Sequence, residues 1–140
     1  MIQPIIILVG VSAAFLLSNA LIGHDRSFAI GYGALALMAA MVSLTFLWLW
    51  ARRATPLAIG MFFGWAGAAS VIGWWWMFYL QGNPHWMVEA PVPFIMLSVY
   101  FVGAILHFKV IWQSFGLTGS GYLIPVGVSL ALSVLAQFTI

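Results

Sequence analysis

Four side chains of this 140-residue chain have donor atoms suited to a metal ion: His24, Asp25, His85 and Glu89. Two imidazoles with two carboxylates are the kind of ligand set that zinc, copper or iron binds. His85 and Glu89 are four residues apart and would share one helix face if that turn were helical. Pro84 and Pro91 bracket the turn, however, and polar residues of this kind belong outside lipid. We therefore predict loop residues that cap helix ends and pair with Arg26, with a metal site as the alternative.

Catalytic motifs are missing from the chain. It contains no HExxH, GxSxG or glycine-rich phosphate loop, and it has no cysteine. The two acidic residues fall in separate loops, so no carboxylate pair for acid–base chemistry is expected. His107 lies near the inner end of an apolar segment, and no second histidine lies at a matching depth to complete a haem site. We expect a protein that is not an enzyme, and the sequence identifies no cofactor.

Four of the eight tryptophans lie between residues 74 and 86. Trp74, Trp75 and Trp76 are consecutive, so they point about 100° apart around a helix and cannot all line one pocket. Together with Trp86 they lie near a predicted helix end, where an aromatic belt settles at the lipid headgroups. The alternative is a pocket that binds a ring-bearing ligand, with His85 beside the tryptophans.

The composition indicates what surrounds these residues. Hydrophobic residues make up 65% of the chain and charged residues 4%, and the mean hydropathy is +1.15. A soluble domain carries about 25% charged residues, so most of this chain is expected to lie in lipid. Four basic side chains are too few for a nucleic-acid surface. We predict an all-α polytopic membrane protein, a compact bundle of five transmembrane helices with short loops in a single domain.

Charged residues delimit the predicted spans, because a full charge at the bilayer centre is costly. Five apolar segments lie between them, at about residues 4–22, 28–50, 56–80, 93–111 and 122–138. Asp25 or Ser27 is predicted to cap the second span, and Thr55 the third, with Pro56 as its first residue. The segment KVIWQSFGLTGSG is too apolar for an ordinary loop, so we expect it to lie along the membrane interface.

The basic residues predict the orientation. With five spans, Arg52, Arg53 and Lys109 share one side with the N-terminus, while Arg26 lies on the other side with both acidic residues. The positive-inside rule then places the N-terminus in the cytoplasm and the C-terminus outside. The apolar N-terminal segment lacks the basic region of a signal peptide and is interpreted as the first span. We expect a multi-pass protein of a bacterial-type inner membrane.

Small residues recur at helical spacing in two spans. Gly60, Gly64 and Gly67 form a nearly flat stripe on the third span, and Gly31 with Ala34 does the same on the second. Such stripes let helix backbones approach each other closely in lipid. We predict packing within the bundle, with contact to another protein as the alternative. The centres of all five predicted spans lack ionisable side chains, which usually mark ion and proton paths.

The stretch NPHWMVEAPVPFIMLSVYF is similar to the Trp/Pro-rich segment that leads into the second helix of the tryptophan-rich sensory protein (translocator protein) family, whose members bind porphyrins and sterols. In this chain the stretch opens the fourth predicted span. The long first loop of that family and its paired prolines after the tryptophans are missing here. No family is assigned on this stretch, and no site residue is carried over.

These observations favour a non-catalytic small integral membrane protein that serves as an accessory, scaffolding or assembly subunit of a larger energy-transducing membrane complex. Its expected partners are membrane lipid and either other membrane subunits or further copies of itself, and not nucleic acid. One alternative is a homo-oligomeric transporter or channel for a neutral or hydrophobic solute. Another is a binder of lipid, quinone, carotenoid or porphyrin that uses the outer tryptophans.

Overall fold

Apolar helices account for almost the whole chain. The structure is a computed structural model and describes residues 2–139. The described residues form six α-helices: α1 (Gln3–Ile22), α2 (His24–Arg53), α3 (Pro56–Leu80), α4 (His85–Glu89), α5 (Val92–Ser114) and α6 (Ile124–Thr139). A single turn of 3-10 helix, Gly121–Leu123, precedes α6. All except the short α4 are long and apolar enough to cross a membrane, α6 together with that turn, which confirms the predicted all-α bundle of five spanning helices.

Tight turns join the first three helices. Gly23 alone separates α1 from α2, at a φ of +87° that L side chains rarely adopt. Ala54 ends α2 in the left-handed conformation, and its N–H donates to the Trp50 carbonyl at 2.6 Å. Thr55 occupies the predicted N-cap position of α3, but its side chain makes no capping hydrogen bond. Pro56 follows at a position where the missing N–H costs nothing. Each connection is so short that the next helix must run back along the previous one.

The predicted capping of α2 by a side chain is wrong. The helix begins at His24, before the predicted boundary at 28, and Gly23 takes the N-cap position with no side-chain bond. Asp25 lies in the first turn, where a negative charge is favourable near the positive end of the helix dipole. Ser27 is buried, and its hydroxyl shares a 2.8 Å hydrogen bond with that of Ser18 on α1. Ser27 therefore joins two helices instead of capping one.

Helix α5 is longer than its predicted span, which ended at 111. It continues to Ser114, and the chain turns at Gly116, where φ is +71°. The Trp112 ring then packs over Gly121, and its indole N–H donates to the Thr118 carbonyl at 3.3 Å. The first part of the segment predicted to lie along the interface is thus helical, and the remainder folds back on the end of α5.

The long helices pack mainly against their neighbours along the chain. α3 lies at the centre, with extensive contacts to α2 on one side and to α5 on the other. α1 packs against α2, and α6 packs against α5 and the 3-10 turn, much less extensively. None of the described residues of α1 or α6 is buried. Across the protein the order is therefore α1, α2, α3, α5, α6.

Small side chains form almost the whole interior. The buried residues of the long helices are all glycine, alanine or serine: Ser27, Gly33, Ala36, Ala39, Ser43, Ala58, Gly60, Gly67 and Gly103. In lipid no hydrophobic force draws helices together, so their association depends on close van der Waals packing. Small residues permit that packing because they let the backbones themselves come into contact.

Glycines create the contact between α3 and α5. A Cβ atom at Gly67 would lie 2.5 Å from the backbone of Tyr100, and one at Gly103 would overlap the backbone of Gly64. A Cβ at Gly60 would lie 3.2 Å from the nearest backbone nitrogen of α5. Gly60 and Gly67 of the predicted stripe therefore face α5, whereas a Cβ at Gly64 would meet nothing within 4 Å among the described residues. The two antiparallel helices touch backbone to backbone along this side of α3.

The α3–α5 contact can be tested with one methyl group. Gly103→Ala leaves no space between its new Cβ and the Gly64 backbone, so the two helices must separate. We expect the free energy of unfolding to fall by about 1–3 kcal/mol. Gly10→Ala is the matched control, because nothing lies within 4 Å of a Cβ at Gly10. Reversible unfolding in mixed micelles, followed by circular dichroism, measures both variants. Equal stabilities would contradict the assigned contact.

Candidate functional site

A groove between α2 and α3 has a volume of about 770 Å³. Residues 36–44 of α2 and 62–77 of α3 form its walls. Gln81, just after the end of α3, lies at one end together with Trp86 and Met87 of α4 and Met96 of α5. We call this groove the α2–α3 groove and that end its α4 end. Small-molecule sites in proteins typically measure about 300–1,000 Å³, so the groove is large enough to hold a ligand.

One large ring and several short side chains create the groove. The Trp76 indole lies over Gly33 of α2, where a Cβ atom would overlap the ring. The ring occupies the space between the two helices, and alanines along the same faces, such as Ala66, are too short to fill the gap that remains. Further from the α4 end, the Ser43 hydroxyl donates to the Phe62 carbonyl at 3.1 Å and joins the two helices directly.

The predicted tryptophan cluster divides between two cavities. Trp74, Trp76 and Trp86 line the α2–α3 groove, and the Trp74 and Trp86 rings meet edge to face at 6.1 Å. Trp75 lines a smaller cavity of about 270 Å³, which Trp76 also borders, and its ring contacts Phe78 at 5.4 Å. The three consecutive tryptophans therefore do not line one cavity together. Trp74 and Trp76 nevertheless both line the α2–α3 groove, although their side chains leave α3 in different directions.

Helix α4 closes the end of the groove through a methionine. The HWMVE turn, predicted as a loop, is one turn of α-helix between Pro84 and Pro91. Met87 is 2% exposed and is the one large side chain that is fully buried among the described residues. Its neighbour Trp86 is 60% exposed. α4 is thus held down by Met87, and Trp86 forms an outer wall of the groove. An apolar residue in the middle of a polar turn was the only sequence signal for this anchor.

Few polar atoms face the groove. The Ser70 hydroxyl on its wall donates to the Gly67 carbonyl at 2.9 Å, as the Ser43 hydroxyl does to Phe62. The Trp74 indole nitrogen is shielded from solvent and has no acceptor within residues 2–139. Gln81 stands at the α4 end with its amide exposed. The groove therefore offers an apolar channel, one unpaired buried donor and an amide at one end.

The candidate metal ligands do not join the groove. His85 Nε2 and Glu89 Oε1 lie 3.2 Å apart as an i,i+4 pair, with side chains 84% and 72% exposed. The predicted pairing with Arg26 does not occur among the described residues, and His24 stacks on Phe28 with ring centres 5.8 Å apart. In the part of the chain that the structure describes, no three His, Asp or Glu residues lie close enough to share a metal ion.

The second small-residue stripe has two different environments. A Cβ at Gly31 would lie 2.8 Å from the Phe15 ring of α1, so this glycine accommodates α1. Ala34 is exposed on α2.

His107, near the end of α5, has a buried Nδ1 without a hydrogen-bond partner within residues 2–139. Its ring contacts Phe108, at a centroid distance of 6.2 Å.

The anchoring role of α4 can be tested at Met87. Met87→Ala removes the buried side chain that holds α4, and we expect a loss of about 2–5 kcal/mol in the free energy of unfolding. Amide hydrogen exchange should also accelerate in residues 81–91. Val88→Ala is the matched control, because Val88 is 54% exposed and its truncation creates no cavity. If both variants exchange alike, α4 is not anchored by Met87.

Comparison with protein-family models, curated proteins and solved structures finds no match to this chain. The function therefore has to be inferred from the geometry described above.

Proposed function

We propose that the protein is a non-catalytic membrane subunit that assembles with another membrane protein, as an accessory or scaffolding component of a larger complex. The observation that carries this proposal is the state of the two outermost helices. α1 packs mainly against α2, and α6 mainly against α5 and the 3-10 turn, while the described residues of both helices remain unburied. Both helices therefore keep most of their surface for lipid or for a partner.

A comparison between inner and outer helices supports assembly through α1 and α6. On α3, Gly60 and Gly67 face α5, and the backbone of Gly64 between them lies against Gly103. α1 carries Gly10 and Ala14, and α6 carries Gly127 and Ala131, at the same four-residue spacing, and all four are exposed. Nothing lies within 4 Å of a Cβ at Gly10 or Gly127. The pattern that joins helices inside the protein is thus repeated on both outer helices without a partner in the chain.

The assembly surface can be tested by adding bulk to it. Gly10→Leu fills a position that is empty in the single chain, so the fold should survive while contact with a partner is blocked. In mild detergent extracts of native membranes, we expect the wild-type chain to migrate in a defined complex and the Gly10→Leu chain to lose at least half of it. Ala20→Leu adds similar bulk at another exposed position of α1 and is the matched control.

Two results would contradict the assembly proposal. One is a wild-type chain that migrates as a lone monomer in the mildest detergent. The other is an equal loss of the complex in the Gly10→Leu and Ala20→Leu chains. A complex that contains only copies of this chain would favour the homo-oligomeric alternative over an accessory role.

We also propose that the protein lies in an inner membrane with its N-terminus in the cytoplasm. Arg52 and Arg53 end α2, and Lys109 lies near the end of α5, so these three exposed charges lie at the same end of the helix row. Arg26 and Glu89 lie at the opposite end. The excess of basic residues at the first end supports a cytoplasmic location for that end.

Reporter fusions test this orientation. Alkaline phosphatase fused after Ile140 should be active, and the same enzyme inserted after Ala54 should be inactive. Replacing Arg52 and Arg53 with Gln leaves one basic side chain at each end of the row, so mixed orientation is expected. Lys109→Arg preserves the charge and should leave the orientation unchanged. An active phosphatase at Ala54 in the unaltered chain would reverse the assignment.

A further inference from the structure

We propose that the α2–α3 groove is a binding site for an uncharged amphiphile with one long hydrocarbon tail and an oxygen-bearing ring as its head group, the chemistry of a prenylated quinone. The ring would lie at the α4 end, and the tail would run along α3. This inference goes beyond the assembly role and does not depend on it.

The uncharged lining of the groove favours a neutral ligand. No Lys, Arg, His, Asp or Glu residue lines the groove. The hydroxyl protons of Ser43 and Ser70 are already donated to helix carbonyls. A phosphate or carboxylate would lose its hydration there without gaining a cation or a set of donors, which is strongly unfavourable. The groove therefore excludes charged head groups.

The shape of the groove fits a single chain. Its lining runs along α3 from Phe62 to Met77 and reaches Gln81 just after the helix end, a length of about 28 Å at the helical rise per residue. A groove of this length accommodates an extended hydrocarbon chain that lies parallel to α3.

The unpaired N–H of the Trp74 indole indicates where an oxygen atom of the ligand would bind. Leaving the buried Trp74 N–H without an acceptor costs about 1–3 kcal/mol. A water molecule would need about two to four polar partners. Apart from Gln81 at the α4 end, the polar side chains of the wall are Ser43 and Ser70, whose hydroxyls already donate to helix carbonyls. The nitrogen has almost no accessible surface, so a ligand would reach it only after the Trp86 ring, which packs against the Trp74 ring, moves aside. A carbonyl oxygen on a ligand that is otherwise hydrocarbon would then satisfy the donor without burying a charge.

The ring of the ligand would meet aromatic neighbours. The Trp74 and Trp86 rings already meet at 85° and 6.1 Å, the edge-to-face geometry that aromatic rings favour. Trp86 is 60% exposed, so it is the side chain that must move to admit a head group beside Trp74. Met87 keeps α4 in place while Trp86 moves, because the two neighbours point in different directions and only Met87 is buried.

The test uses decylubiquinone as the probe and the full-length chain in nanodiscs of phosphatidylcholine. Quinones quench tryptophan fluorescence, so a site in the groove should give saturable quenching. Trp74→Phe keeps a ring but removes the donor, and we expect the dissociation constant to rise about fivefold. Trp75→Phe removes an equivalent donor outside the groove and should leave the dissociation constant unchanged.

A second pair of variants tests occupancy of the groove itself. Ala69→Leu fills the groove and should weaken quenching at least tenfold, while Ala34→Leu places the same side chain on an exposed face of α2. Circular dichroism and size-exclusion chromatography verify that each variant is folded. Three outcomes would overturn the proposal: quenching that only rises linearly with membrane quinone, equal weakening by Trp74→Phe and Trp75→Phe, or the same saturable quenching by a brominated phosphatidylcholine.

Discussion

The backbone contact between α3 and α5 is the constraint on which the rest of the protein depends. Gly64 and Gly103 meet without side chains between them, and Gly67 lies against the backbone at Tyr100. Lipid supplies no hydrophobic force to hold helices together, so contact of this closeness is the main source of stability available to them. It also fixes the rotation of α3 about its axis. The large aromatic residues of α3 must then lie on its other faces, where α2 is the neighbour.

The two sides of α3 consequently differ in packing density. Towards α5 the helix is closely packed, and a single methyl group does not fit at Gly103. Towards α2 the Trp76 ring and the short alanines leave an open volume of about 770 Å³. The groove is open at the surface of the protein, whereas the α3–α5 face is closed. Lipid or a ligand can therefore enter beside α2 without separating the helices that the glycines hold together.

The sequence was sufficient to predict the five long helices, but not the short α4 and not the rotation of the helices relative to one another. Sparse charges and short glycine or proline turns marked five spans, because charge is excluded from lipid along the whole chain. The glycine stripe on α3 was also visible, since its spacing is local. The partner of Ser27, the anchoring by Met87 and the shared groove of Trp74 and Trp76 were not predictable, because each depends on the rotation and spacing of a second helix.

The order of helices across the protein equals their order along the chain, and this has a consequence for biosynthesis. Each long helix after α1 packs against the long helix made before it, and the extensive contacts of α2 form when α3, the next helix, is made. Structures dominated by such local contacts form quickly and expose few unpaired surfaces during folding. The long helices can therefore insert and pack one after another as the ribosome makes them. When α6 enters the membrane, every other long helix already has a neighbour.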